Sequence, residues 1–99
     1  MRNLLDIMEM IQKMYKIVVY EKTKGVCMPC RFTKRELEKH QWEVELRALE
    51  DLSDTQIEMF RNLGLSSAPI VQVFAENGIL LDEWSGHNVN KLKEYIKEA

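Results

Sequence analysis

Apolar residues Leu4, Ile7, Met8 and Ile11 recur at helical spacing, so residues 3–14 predict an amphipathic helix with Asn3 as N-cap. Lys16 to Tyr20 follows as a β-branched apolar run flanked by charge, the pattern of a buried strand. Beyond a loop containing Gly25, residues Pro29 to His40 are helix-compatible, with Pro29 tolerated because it lies in the first turn. Trp42, Val44, Leu46 and Ala48 alternate with polar neighbours and predict a half-buried strand. Ser53 and Gln56 have capping-box spacing ahead of a helix carrying Ile57, Phe60 and Leu63, which Gly64 should end. Ile70–Ala75 and Ile79–Trp84 flank Asn77-Gly78, a strong hairpin signal. Asn88 then caps a last helix with Val89, Leu92 and Tyr95 or Ile96 inward.

The predicted order is α-β-α-β-α-β-β-α. It implies an α/β domain in which a short mixed sheet carries helices on both faces. The chain divides into an N-terminal helical extension, residues 1–15, and a single domain, residues 16–99. Ninety-nine residues leave no room for a second core. Fourteen Lys and Arg against sixteen Asp and Glu give a net charge of −2, so a partner bound through nucleic-acid phosphates is disfavoured. No apolar run approaches the ~20 residues of a membrane span, and a secretory signal core is missing. The expectation is a soluble, cytoplasmic protein with no membrane partner. It should be a monomer whose N-terminal helix packs on its own domain.

Two cysteines change the picture. Cys27 and Cys30 form one C-x-x-C with nothing left over. A bridge closing so short a loop hardly restricts the unfolded chain, so its purpose is chemical rather than structural. Cys27 falls where the chain enters a helix, and free N–H groups there favour the thiolate, which is the nucleophile. Lys22, Lys24 and Arg31 add positive potential. Cys30, one turn further in, is placed to resolve a mixed disulfide. Two bland alternatives compete. Zinc needs about four ligands, and beyond the cysteines only His40 and His87 are on offer at no recognised spacing. Two inert core cysteines are the other, less favoured than redox chemistry in this strand-loop-helix setting.

Elsewhere the local signals are bland. Pro69 alone reads as the first residue of a strand, where its missing N–H costs least. His40 and His87 read as surface residues. The methionines, concentrated in residues 1–14, read as packing material.

Four segments together carry a resemblance. They are Val18-Val19-Tyr20 with Thr23-Lys24; Cys27-Met28-Pro29-Cys30 followed by Thr33-Lys34; Leu63-Gly64 leading to Ser67-Ala68-Pro69-Ile70-Val71; and Trp84-Ser85-Gly86. In these the chain resembles the thioredoxin-fold redoxins and, within them, the glutaredoxin-like NrdH-redoxins, over roughly residues 16 to 97. The resemblance implies a thioredoxin-like fold with a four-stranded mixed sheet. It also implies a cis Pro69 facing the cysteine pair, with no cofactor beyond the redox-active Cys27–Cys30 disulfide. Cys27 would attack a target disulfide and Cys30 would release the product. Met28, Pro29, Ala68, Pro69, Trp84, Ser85 and Gly86 would bind the target, Ala68 through its backbone. The family takes electrons from thioredoxin reductase and delivers them to ribonucleotide reductase.

The chain departs from the family in three places. The loop Glu21–Val26 is about two residues longer than usual, with Gly25 where proline is common. Pro29 replaces a common glutamine, and His87-Asn88-Val89 replaces Phe-Arg-Pro. A glutathione-fed glutaredoxin is the alternative, although Ser85-Gly86-His87-Asn88 lacks the second glycine and the acid by which glutaredoxins hold glutathione's charged ends. A redox-inert binding module on the same fold is the third reading.

Overall fold

The computed structural model describes residues 15–96. The helix expected over residues 3–14 lies outside them. The described elements are β1 (Tyr15–Glu21), α1 (Met28–Lys39), β2 (Val44–Ala48), a 3₁₀ turn (Leu49–Asp51), α2 (Asp54–Asn62), β3 (Ile70–Ala75), β4 (Leu80–Ser85) and α3 (Val89–Ile96). The strands form one sheet in the order β2-β1-β3-β4. β1 and β2 are parallel, and the β1–β3 and β3–β4 pairs are antiparallel. This is the mixed four-stranded sheet that the element order predicts.

Alternation along β1 builds two cores. Ile17 and Val19 join Leu37 of α1, Trp42, Val71, Val73, Trp84 and Leu92 of α3 on one face. Val18 and Tyr20 join Leu65 and Ile70 on the other, with Leu49, Leu52 and Phe60 of α2 packed against them. A strand buried on both sides reads as an unbroken apolar run, which is why the Ile-Val-Val-Tyr segment was legible. The edge strands are less covered, and Leu46 on β2 is half exposed.

Local capping sets the helix ends. Ser53 Oγ accepts from Gln56 N–H, and the Gln56 side chain returns a bond to the Ser53 N–H, completing the predicted capping box. At the other end Leu65 N–H donates to Phe60 C=O and Gly64 N–H to Arg61 C=O, with Gly64 at φ +80°. That is a Schellman ending, and it places Leu65 against Phe60. Leu63, which the helical spacing assigned to the apolar face, is therefore left 63% exposed. Asn88 caps α3 through Oδ1 to the Lys91 N–H. Asp82 on β4 ties α3 down by accepting from Lys91 Nζ (3.0 Å) and Tyr95 OH (2.9 Å). Burial and that carboxylate push the Tyr95 phenol up to about 12.

The two leucines separate by experiment. Leu37→Ala should cost about 2–5 kcal/mol, because it opens a cavity in the first core. Leu63→Ala should stay within about 0.5 kcal/mol. Urea unfolding of the two variants reads the difference, and equal losses would contradict the assignment of Leu65 in place of Leu63.

Candidate active site

Strand register gathers one end of the sheet. Glu21, the last residue of β1, lies beside Ala48, the last of β2. Tyr20 pairs with Ile70, the first residue of β3, and Ile70 pairs with Ser85, the last of β4. The loop to Cys27, the turn Leu49–Asp51, the Ala68–Pro69 peptide and Gly86 therefore all leave the sheet at the same end.

Cys27 is the N-cap of α1, with extended backbone (φ −124°, ψ 96°), and its Sγ accepts from the Cys30 N–H at 3.3 Å. The first turn of α1 carries no acidic residue, so nothing there opposes a negative sulfur. Cys27 and Cys30 are joined as a disulfide with Cα atoms 5.3 Å apart. Cys27 is half-buried, whereas Cys30 is only 2% exposed. Cys27 thus keeps partial exposure to solvent, and Cys30 is withheld from it.

The Ala68–Pro69 peptide is cis, as the resemblance implies. Pro69 is buried, and its carbonyl accepts from the Gly86 N–H at 2.8 Å. Gly86 has φ +81°, a left-handed conformation that favours glycine, while a Cβ there would meet Ser67 Oγ only at an ordinary contact distance of 3.4 Å. One residue on, His87 Nδ1 lies 2.9 Å from Thr33 Oγ1, and its ring packs against Phe32. Thr33 is fully buried and sits one turn beyond Cys30. Two hydrogen bonds thus link the cysteine helix to the cis proline, through Thr33–His87 and Gly86–Pro69. His87, expected at the surface without a role, is half-buried in this link. Its signal was Thr33, a polar residue on the inward face of an amphipathic helix, which needs a partner.

Glu50 is the second residue that the sequence did not reveal. Its carboxylate accepts from the Lys24 N–H (2.9 Å), the Thr23 N–H (3.0 Å) and the Thr23 hydroxyl (3.1 Å). These bonds fasten the lengthened loop before Cys27 to the turn after β2. The Lys24 and Thr23 amides hold the carboxyl at about 2, against an ordinary 4.5.

The remaining predicted residues divide. Met28 and Pro29 are exposed in the first turn of α1, Ala68, Ser85 and Gly86 are partly exposed, and Lys22, Lys24 and Arg31 are exposed. Trp84 is a correction: it is 6% exposed and stacks on Tyr95 within the first core. Strand alternation puts it beside Val71, inside the protein rather than on a partner-binding surface. Among the described residues no group of three or more His, Cys, Asp and Glu could hold a metal ion.

The chain has a thioredoxin-like fold with a C-x-x-C disulfide at the start of a helix. It is similar to the glutaredoxin-like protein NrdH-redoxin from Escherichia coli, at 24% identity and a TM-score of 0.60, covering 80% of this chain and 92% of that one. It is also similar to Fasciola hepatica thioredoxin, at 19% identity and a TM-score of 0.58, covering 95% and 88%. Spinach chloroplast thioredoxin f matches at 20% identity and a TM-score of 0.55, covering 96% and 84%. No family model matches the chain, and no curated protein matches it in sequence.

The clasp by Glu50 has a pH signature. A carboxyl lowered from 4.5 to about 2 contributes stability that is fully present above its unfolded value and is lost as pH falls through about 2. In an NMR titration the Thr23 and Lys24 amide signals should therefore hold steady through pH 4 and move together only near 2. In Glu50→Ala both amides should shift already at neutral pH. Amide shifts with a midpoint near 4.5 would show that the clasp does not form.

Proposed function

We propose that the chain is a thiol–disulfide oxidoreductase, a dithiol carrier that reduces protein disulfides. The observation that carries this reading is the unequal pair: a half-buried Cys27 at the helix N-cap and a buried Cys30 one turn inward, joined as a disulfide. In the reduced protein the Cys27 thiolate attacks one sulfur of the target. A Cys27–target bond forms, the target S–S bond breaks, and the departing thiolate takes a proton from solvent. Cys30 then gives up its proton and attacks Cys27, displacing the second target sulfur as a thiol. Two electrons pass to the target, and the carrier is left as the Cys27–Cys30 disulfide. Ala68, half-exposed beside Pro69, would offer its backbone to the target segment.

For the electron source we favour thioredoxin reductase over glutathione. The Gly86 N–H is already taken by Pro69 and the Asn88 side chain by the α3 cap, so the Ser85–Asn88 segment presents no acid and few free donors to glutathione's charged ends. The Escherichia coli protein, described as glutaredoxin-like with a thioredoxin-like activity profile, supports the same choice. The resemblance of the motifs to those of NrdH-redoxins makes ribonucleotide reductase the target to test first. The cytoplasm, where such dithiol carriers are kept reduced, is the compartment this implies.

NADPH oxidation with a disulfide substrate should proceed with thioredoxin reductase and stall with glutathione plus glutathione reductase. Cys27→Ser should abolish turnover in either mixture. Cys30→Ser should accumulate a mixed disulfide with the target, visible by mass spectrometry. Full turnover by Cys27→Ser would refute the dithiol mechanism, and turnover only with glutathione would make the chain a glutaredoxin.

A further inference from the structure

We infer that the site selects disulfides carried on acidic segments, with Lys22, Lys24 and Arg31 as the residues that set this preference. The inference rests on the dithiol-reductant reading above and extends it to the class of target.

The chain as a whole is slightly acidic, at −2, yet the surroundings of Cys27 are not. Lys24 lies three residues before Cys27 and so within about 11 Å of it, Cα to Cα, by chain reach alone. Lys22 lies two residues further back. Arg31 follows four residues after Cys27 along α1, a rise of about 6 Å. All three are exposed, and among the described residues none takes part in an ion pair.

Three acids belong to this end of the sheet, and only Glu21 is paired with a cation among the described residues. Glu21 is half-buried and bonded to Lys34 Nζ at 3.1 Å. Glu50 turns both carboxylate oxygens toward the loop amides that carry Thr23 and Lys24. The turn thus presents two exposed carboxylates, Glu50 and Asp51, against three cations that form no ion pair among the described residues. The clasp also holds the loop's backbone in place, so Lys22 and Lys24 project from an anchored base. Beside the cations stand exposed apolar groups, Val26 (67%), Met28 (43%) and Phe32 (40%). A disulfide segment with apolar neighbours and flanking carboxylates complements both features, and a basic segment meets like charge.

The test uses the reduced protein in single turnover, so that no reductase or external thiol enters. Three peptides share one internal disulfide and its apolar neighbours, and differ only in flanks of Asp and Glu, Ser and Gln, or Lys and Arg. Three screened surface contacts, each worth about twofold, compound to a rate for the acidic peptide about tenfold above the basic one at low salt. In roughly 1 M salt, where the screening length is about 3 Å, the ratio should fall to about twofold or less. The triple variant Lys22→Gln, Lys24→Gln, Arg31→Gln should lose the preference already at low salt, with circular dichroism confirming its fold. Equal rates for the acidic and basic peptides in the wild type would overturn the inference while leaving the dithiol reading intact. A preference that survives in the triple variant would overturn the assignment to these cations. No reduction of any peptide would bring down the dithiol reading itself, and this inference with it.

Discussion

The double-sided burial of β1 is the constraint on which the rest of the molecule depends. Val19 and Val71 are fully buried against each other across the β1–β3 pair, and Val18 faces the opposite core. A slip of one residue would exchange the two faces and expose both sets of side chains. The register is therefore held by most of the protein's apolar contacts. It is also the register that brings Glu21, Ala48, Ile70 and Ser85 to one end of the sheet. The cysteine pair, the cis proline and the Gly86 turn lie at one end of the sheet because this register holds them there.

Hydrogen bonds then refine what the core places. α1 meets the β4–α3 loop at Thr33 and His87, and that loop meets Pro69 through Gly86. On the other side the Glu50 carboxylate fastens the loop that delivers Cys27. The two devices differ in exposure. Thr33 is fully buried, so a lost partner there would leave a hydroxyl without water, whereas Glu50 is open to solvent and owes its hold to two convergent N–H donors. Neither places a carboxylate in the first turn of α1, and the N-cap position keeps its preference for a negative sulfur.

The features that sequence revealed are those written within a few residues. The Ile17–Tyr20 run, the Ser53–Gln56 box, the Asn77-Gly78 hairpin and the Asn88 cap each depend on neighbours in the chain, and each stands where it was expected. Helical periodicity points Leu63 inward but says nothing about how a Schellman ending swings the chain, and Leu65 takes the core position. The Trp-Ser-Gly motif does not say which way Trp84 points, and strand parity turns it into the first core. The Thr33–His87 bond spans 54 residues and the Glu50–Thr23 bonds span 27. Such pairings become visible only when the fold closes, although a buried threonine on the Cys30 face of α1 announces that a partner is needed. Glu50, in an acidic turn, carries no such signal.

Unequal burial of the cysteines gives the chemistry an order. On the proposed dithiol reading, a bulky protein disulfide would meet the half-buried Cys27 before the buried Cys30, so the first bond to a target would have one available nucleophile. Once that bond exists, Cys30 needs no access to solvent, because its attack is intramolecular and the helix already holds the two Cα atoms 5.3 Å apart. Burial of Cys30 would therefore cost that second step nothing, and it would guard the proposed carrier against reaction at the wrong sulfur. The same geometry separates selectivity from resolution. Groups around Cys27, in the anchored loop and the first turns of α1, can bias which disulfide is attacked, while the release step depends on α1 alone.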